Sequence, residues 1–129
     1  MKDLDLSNNI LCDLSAKRLS VVLENNRILE KHSIASNQLE ATGLQEMQPG
    51  PRKNKTLLHL NISWNYLYDT GAEILGEIIG ENQSLKEISA CGNLFGELAA
   101  SRLAKGVANN SNLKILRIGH NFQIGRAHV

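Results

Sequence analysis

The sequence predicts an α/β solenoid with a parallel β-sheet on its concave face and α-helices on its convex face. Three observations lead to this fold class. An asparagine recurs every 28 residues along the chain. Apolar residues alternate just before each of these asparagines, as in a short strand with one buried face. The rest of each unit carries an apolar stripe at helical spacing, and such units bury their apolar faces by stacking on one another.

The asparagine column marks the point at which each predicted strand turns into a loop. Its members are Asn9, Asn37, Asn65, Asn93 and Asn121. A side-chain amide at a tight turn can satisfy backbone groups that have left the strand, so this column predicts a structural asparagine ladder. A second asparagine column keeps the same step at Asn26, Asn54, Asn82 and Asn110.

The third unit shows both structural periods clearly. Leu60 and Ile62 alternate across a strand. Thr70 and Glu73 have the spacing of a capping box, which predicts that the helix of this unit begins at Thr70. The apolar stripe that follows, at i, i+3, i+7 spacing, consists of Ala72, Leu75 and Ile79.

Written out, the repeat reads L-x-x-L-x-L-x-x-N-x-L-x-x-x-G, which resembles the leucine-rich repeat. Its 28-residue length and full helix are similar to those of the ribonuclease-inhibitor-like class. The resemblance implies a leucine-rich repeat solenoid, or horseshoe, over residues 1–123, with units 1–28, 29–56, 57–84, 85–112 and 113–123. It also implies that the concave face binds another protein.

The second unit departs from the repeat at two places. His32 occupies a leucine position, and Pro49-Gly50-Pro51 interrupts the helical stretch. Because proline lacks a backbone donor and clashes with the preceding turn, we expect the helix to stop near Gln48, followed by an irregular basic segment on the convex side. Decay of the repeat and a partner-specific feature are both open interpretations.

The two ends of the array are unusual. Met1 falls on the first leucine position, and neither end carries the polar capping unit that a solenoid needs. We therefore expect the chain to be a fragment of a longer protein. Ile124–Val129 leaves the repeat abruptly and matches the translation of a short-read sequencing adapter, so we interpret these six residues as an adapter-derived scar.

The composition excludes several kinds of partner. Lys and Arg number 14 and Asp and Glu 13, for a net charge of +1. This balance predicts neither nucleic acid nor an anionic membrane as partner, and no apolar run is long enough to span a bilayer. With two cysteines and no secretory signal in the sequence, we expect a cytoplasmic location.

Four residues are candidates for binding a protein partner. Trp64 is the only tryptophan and directly precedes Asn65, and exposed aromatic residues are frequent anchors of interfaces. The alternative interpretation of Trp64 is that it covers the turn after its strand. His59, Glu87 and Arg117 are expected on the concave strip.

Catalysis has little support in the sequence, and we expect no enzyme activity and no cofactor. A Cys91–His59 pair is conceivable, but neither a glycine-rich oxyanion loop nor a third orienting residue accompanies it. The histidines have repeat-scale spacing rather than metal-ligand spacing. Cys12 and Cys91 fall at different repeat positions, which argues against a disulfide between them.

The sequence therefore predicts a protein–protein interaction scaffold. Two alternatives stay open. One is a GTPase-activating regulator resembling the Ran GTPase-activating protein, and the other is the sensing region of a nucleotide-binding innate-immune receptor. Fold resemblance alone does not identify a partner.

Overall fold

Five parallel strands form one sheet in the computed structural model, which describes residues 1–121. The sheet is ordered β1-β2-β3-β4-β5, so each strand pairs with its neighbours in the sequence. The predicted scar at 124–129 lies outside the described residues, as do the last two residues of the predicted array. The strands, of three residues each, are β1 (Asp3–Asp5), β2 (Lys31–Ser33), β3 (His59–Asn61), β4 (Glu87–Ser89) and β5 (Ile115–Arg117).

The strand register follows the spacing seen in the sequence. Leu60 pairs with His32 on one side and with Ile88 on the other, so neighbouring strands are offset by 28 residues. The middle residue of each central strand is buried, whereas the first and third residues are exposed or half-buried. Each strand therefore has one core face and one solvent face, as expected from its alternation.

Helices connect successive strands and lie on the core face of the sheet. They are α1 (Asp13–Asn25), α2 (Ala41–Met47), α3 (Pro49–Lys53), α4 (Tyr68–Glu81) and α5 (Glu97–Ala108). α1 packs against α2 and α3, both of these pack against α4, and α4 packs against α5. The aliphatic core between the two layers includes Leu29, Leu57 and Leu85, and Phe95 is its largest fully buried side chain. No helix within residues 1–121 is long and apolar enough to cross a membrane.

The helical stretch of the second unit is divided in two. α2 ends at Met47, next to the predicted stop at Gln48, but the expected irregular segment is wrong because residues 49–53 form α3. Pro49 occupies the first turn of α3, where a missing backbone donor costs nothing. The Gly50 amide donates to the Ser20 hydroxyl at 2.9 Å, so the segment packs onto α1 instead of bulging away from it.

The predicted start of α4 is also wrong. The helix begins at Tyr68, two residues before Thr70, and no side chain caps it. The Gly71 amide donates to the Leu67 carbonyl at 2.8 Å, which places Thr70 inside the first turn. The capping box was therefore a chance match to the pattern.

The predicted fold class, a horseshoe-shaped leucine-rich repeat solenoid, is corrected by the structure. The described residues form a small five-stranded parallel sheet with five helices on one side. The helix layer is uneven, since the second unit contributes two short helices where the first, third and fourth units contribute one each. The curvature of a solenoid accumulates from a small rotation between successive repeats. A 28-residue period therefore specifies which strands pair, but it does not specify the rotation that would build a horseshoe.

Candidate protein-binding surface

The solvent side of the sheet, called here the free face, is polar. It carries the first and third residue of every strand, and the pairing places these residues in two rows. The first row is Asp3, Lys31, His59, Glu87 and Ile115, and the second row is Asp5, Ser33, Asn61, Ser89 and Arg117. A groove of about 350 Å³ crosses β1 to β4 on this face.

Small polar side chains form the floor of the groove and its continuation toward the loops. The hydroxyls of Ser7 and Ser33 are 2.6 Å apart. The Ser63 hydroxyl accepts a hydrogen bond from the Cys91 amide at 3.0 Å. At the β1 end, hydrogen bonding from Ser7 lowers the pKa of the Asp5 carboxyl, which keeps this carboxylate charged. The floor can therefore hydrogen-bond to a polar partner but offers little apolar area.

Two of the predicted binding residues contact each other. The Arg117 guanidinium lies 3.5 Å from the Glu87 carboxylate across the β4–β5 pair. His59 is half-buried and pairs in register with Glu87 on the other side. Glu87 thus lies between the other two, and the three form one patch toward the β5 end of the free face.

Trp64 lies beyond the free face, on the loop after β3. Its backbone has a φ of 60°, and its amide donates to the Cys91 carbonyl at 2.8 Å. The indole ring rests on Gly92, where a β-carbon would overlap its six-membered ring. The ring centroids of Trp64 and His120 are 5.4 Å apart. The side chain is 52% exposed, so it is held in place from one side and open on the other.

The asparagines after the strands link each loop to the next. The Asn65 side chain accepts from the Leu39 amide at 3.1 Å and donates to the Ile62 carbonyl at 3.0 Å. Asn93 accepts in the same way from the Asn65 amide, and Asn121 from the Asn93 amide. Asn37, Asn65, Asn93 and Asn121 are buried, whereas Asn9 is exposed and bonds only within its own turn. These bonds hold the loop that carries Trp64.

The second asparagine column forms a comparable chain of bonds at the opposite edge, a role that its spacing alone did not reveal. The Asn82 side chain donates to the carbonyls of Pro51 and Asn54 and accepts from the amides of Ser84 and Leu85. Asn110 makes equivalent bonds one unit further on. The constant 28-residue step of this column was the signal that could have identified it.

His32 fills its leucine position in the core. The imidazole is buried, and its Nδ1 lies 2.9 Å from the Leu4 carbonyl. Burial lowers the pKa of His32, although the Leu4 carbonyl and the Asp5 and Asp3 carboxylates oppose this effect. The Nε2 atom has no hydrogen-bond partner among the described residues.

The described residues offer no other chemical centre. Cys12 is exposed and Cys91 half-buried, and both are free thiols. Within residues 1–121, no group of three or more histidine, cysteine or carboxylate side chains could hold a metal ion.

No protein-family model matches the chain. Curated proteins that it resembles include human NACHT, LRR and PYD domains-containing protein 13, at 32% identity over 118 residues. Mouse NACHT, LRR and PYD domains-containing protein 14 is 30% identical over 119 residues. These matches cover 90% and 91% of the chain but only 11% and 12% of the relatives. The chain is thus similar to a segment of much longer leucine-rich-repeat-containing proteins, with no support for the ribonuclease-inhibitor-like class.

Solved structures that the chain resembles complete the correction of the fold class. Leiomodin-1 actin-binding site 2 superposes with a TM-score of 0.84 at 18% identity, covering 98% of this chain and 75% of that one. The tropomodulin C-terminal domain of Caenorhabditis elegans gives a TM-score of 0.78 at 18% identity, covering 100% and 80%. The fold is therefore that of these small domains rather than of a predicted horseshoe.

Proposed function

We propose that this chain is a protein-binding segment without enzymatic activity, and that the partner contacts the free face of the sheet with Trp64 at its border. The observation that carries the proposal is the position of Trp64. A half-exposed indole resting on Gly92, in a loop held by backbone bonds, loses little freedom on binding. Tryptophan and arginine are enriched among residues that dominate binding energies.

Glu87, Arg117 and His59 extend this surface. In the Glu87–Arg117 pair the arginine side chain is 57% exposed and the glutamate side chain 29%. Water still reaches both groups, so the pair contributes only modestly to folding and can exchange for a pair with a partner. Charged groups at such a border act mainly on the rate and specificity of association. We expect them to select the partner while Trp64 supplies more of the affinity.

The similarity to NACHT, LRR and PYD domains-containing proteins suggests the kind of larger protein in which this binding surface works. We propose that the chain works as a partner-sensing segment of a longer protein of that kind, in the cytoplasm. Because the chain spans about a ninth of such relatives, the test is best made in the full-length protein.

The test compares partners recovered by cross-linking from cells that express the full-length protein or its variants. Trp64→Ala is expected to reduce recovery of a specific partner about tenfold or more, and Glu87→Gln with Arg117→Gln about threefold. Thr42→Ala, on an exposed position of α2, is the matched control and should leave recovery unchanged. Full recovery by a folded Trp64→Ala protein would refute the proposal.

A second candidate function is actin binding. It is favoured by the superposition on a domain named for actin binding, leiomodin-1 actin-binding site 2. Co-sedimentation with actin filaments and a monomer-binding titration with labelled actin would test it directly. Saturable binding that Trp64→Ala weakens would support actin as the partner, and no binding in either assay would remove this candidate.

A further inference from the structure

The edge of the sheet at the carboxyl ends of the strands carries a local group of exposed apolar side chains. Trp64, Tyr66 and Tyr68 come after β3, and Leu94 and Leu98 come after β4; we call these five residues the aromatic edge. Their exposed fractions are 52, 47, 53, 44 and 56%. Single exposed apolar side chains are common on protein surfaces, whereas a group of them at one edge is typical of an interaction site.

The aromatic edge is not a requirement of the repeat. The positions equivalent to Trp64 in the other units are Asn8, Ser36, Gly92 and His120, and the position of Tyr66 is held by Gln38 in the second unit. Ile10 is the apolar counterpart in the first unit. Since the same loops are built elsewhere with small or polar residues, the aromatic side chains at this edge are not needed to form them.

The backbone of the aromatic edge is held on both sides. The Trp64 amide donates to the Cys91 carbonyl and the Tyr68 amide to the Asn93 carbonyl, both in the fourth unit. The Tyr66 amide donates to the Leu39 carbonyl in the second unit. A partner therefore meets a surface that is already ordered, which reduces the entropic cost of binding.

Charge is distributed unequally between the two edges of the sheet. The segments at the aromatic edge, which run from the strand ends into the first helical turns (residues 7–15, 35–43, 63–71 and 91–99), contain no lysine or arginine but include Asp13, Glu40, Asp69 and Glu97. The segments at the opposite edge, which run from the helix ends to the strands (residues 25–30, 53–58, 81–86 and 109–114), contain five basic residues and two acidic ones. The two edges are thus opposite in sign although the chain as a whole is nearly neutral.

Acidic residues neighbour the aromatic edge along the chain or through the backbone. Tyr66 forms a backbone bridge with Glu40, whose side chain is exposed. The Asp69 carboxylate is next to Tyr68 in the chain and accepts from the Gly96 amide at 2.6 Å. Glu97 is exposed in the first turn of α5, next to Leu98.

We infer that the aromatic edge binds a segment of a partner protein that carries arginine or lysine together with apolar side chains. Aromatic faces attract cations, most often guanidinium groups, and the neighbouring carboxylates add charge complementarity. An acidic segment would be repelled here, and the basic edge on the other side would repel a basic one. The inference rests on the proposed protein-binding function, but it extends the binding surface from Trp64 along the aromatic edge and assigns a partner chemistry.

A synthetic decapeptide of alternating arginine and leucine is a direct probe for this chemistry, with glutamate and leucine alternating in the control peptide. Trp64 is the only tryptophan, so its fluorescence reports binding without a label. We expect the basic peptide to produce a saturable change that weakens as salt rises, and the acidic peptide to produce none. Equal binding of both peptides would overturn the inference.

Isothermal titration of variants with the basic peptide shows where on the surface the peptide binds. Tyr66→Ala and Glu97→Gln should each weaken the basic peptide about threefold to fivefold. Glu77→Gln removes an exposed carboxylate from α4, away from the edge, and should have no effect. Equal weakening by Glu77→Gln would mean nonspecific attraction of a cation and would overturn the inference.

Two further outcomes are distinguishable. If the edge instead binds a second copy of the chain, sedimentation equilibrium will show a dimer that Tyr66→Ala dissociates, and this would also overturn the inference. Glu87→Gln and Arg117→Gln should leave peptide affinity unchanged while reducing recovery of the natural partner. Binding of the basic peptide can therefore be confirmed even if the proposed function fails, and the proposed function can be confirmed even if the peptide does not bind.

Discussion

At the scale of single residues, Asn65 shows how one side chain can hold two units together. Its carboxamide oxygen is the acceptor for the buried Leu39 amide. Its nitrogen donates to the carbonyls of Ile34 and Ile62, which also receive bonds from Asn37 and Asn93. Removing the side chain therefore leaves those carbonyls partly satisfied but deprives the Leu39 amide of its partner.

We expect Asn65→Ala to lower the free energy of unfolding by about 2–3 kcal/mol, because an unpaired buried donor costs the full penalty of its desolvation. Urea denaturation monitored by circular dichroism measures the change. Asn9→Ala is the matched control, since Asn9 is exposed and bonds only to Leu6 and Ser7, and its effect should be about 0.5 kcal/mol or less. Equal losses in the two variants would contradict the role assigned to the buried asparagines.

His32 is the residue with the clearest dependence on pH. Burial lowers its pKa below the ordinary value of 6.5, so the unfolded chain binds a proton more readily than the folded one. The stability contributed by neutral His32 is present above pH 6.5 and is lost as the pH falls below it. The limiting slope for one proton is about 1.4 kcal/mol per pH unit.

We expect the free energy of unfolding to fall between pH 7.5 and 5.5, and His32→Leu to remove most of that fall. Urea denaturation at several pH values tests this. The lowered pKa of Asp5 also makes folding less favourable in acid. Because the ordinary pKa of this carboxyl is 3.8, that loss occurs below the pH range of this experiment. His120→Asn is the control and should retain the pH dependence; an unchanged slope in His32→Leu would assign the effect to another group.

At the scale of elements, glycine sets the separation of α4 and α5. A β-carbon on Gly106 would overlap the carbonyl oxygen of Gly76, and one on Gly76 would lie 2.6 Å from the carbonyl oxygen of Arg102. Both obstacles are backbone atoms, which cannot rotate away. The close approach of these two helices therefore depends on glycine at both positions.

We expect Gly106→Ala to destabilise the fold by about 1–3 kcal/mol, despite the better helix propensity of alanine, because the two helices must move apart. Thermal and urea unfolding measure the loss. Gly80→Ala provides the comparison, since its β-carbon would lie 3.6 Å from the nearest atom, the Gly106 α-carbon. That variant should be within about 0.5 kcal/mol of the parent, and a similar loss in both would show that helix separation is not limiting.

The element with the least predictable form is the helical stretch of the second unit. Pro49-Gly50-Pro51 indicates a helix break, and α2 does end before it. The sequence does not show that Gly50 can approach the backbone of α1 at Ser20, which is what allows α3 to form and pack. Local propensity predicts where α2 stops, whereas the contact with Ser20, 30 residues away in the chain, decides that residues 49–53 form a second helix.

At the scale of the whole molecule, regular pairing and irregular surface chemistry coexist. Every strand pairs with its sequence neighbours at one constant offset. The exposed chemistry repeats only in part: Ile10 and Leu14 are exposed at the positions of Leu94 and Leu98. Among residues 1–121 the exposed aromatic side chains, in contrast, are confined to the third unit, and the Glu87–Arg117 pair to the last two strands. A constant framework with a variable surface allows binding residues to differ without disturbing the core.

The candidate site was predictable only in part. The sequence indicated Trp64 as an exposed aromatic residue, and its exposure agrees with that expectation. It did not indicate that Trp64 rests on Gly92, or that Glu87 and Arg117 contact each other. These contacts join different units, so they depend on side-chain conformations that spacing does not specify.

The sequence by itself determined which residues face the core, which strands pair and where the asparagines come after the strands, because a fixed repeat brings equivalent positions side by side. Only the tertiary structure decided the fold class, the formation of α3 and the arrangement of the aromatic edge. These features depend on how successive units rotate and pack, and on contacts between residues far apart in the chain. A periodic sequence determines which positions of successive units lie side by side. The overall shape and the surface depend on side-chain packing, which the period does not specify.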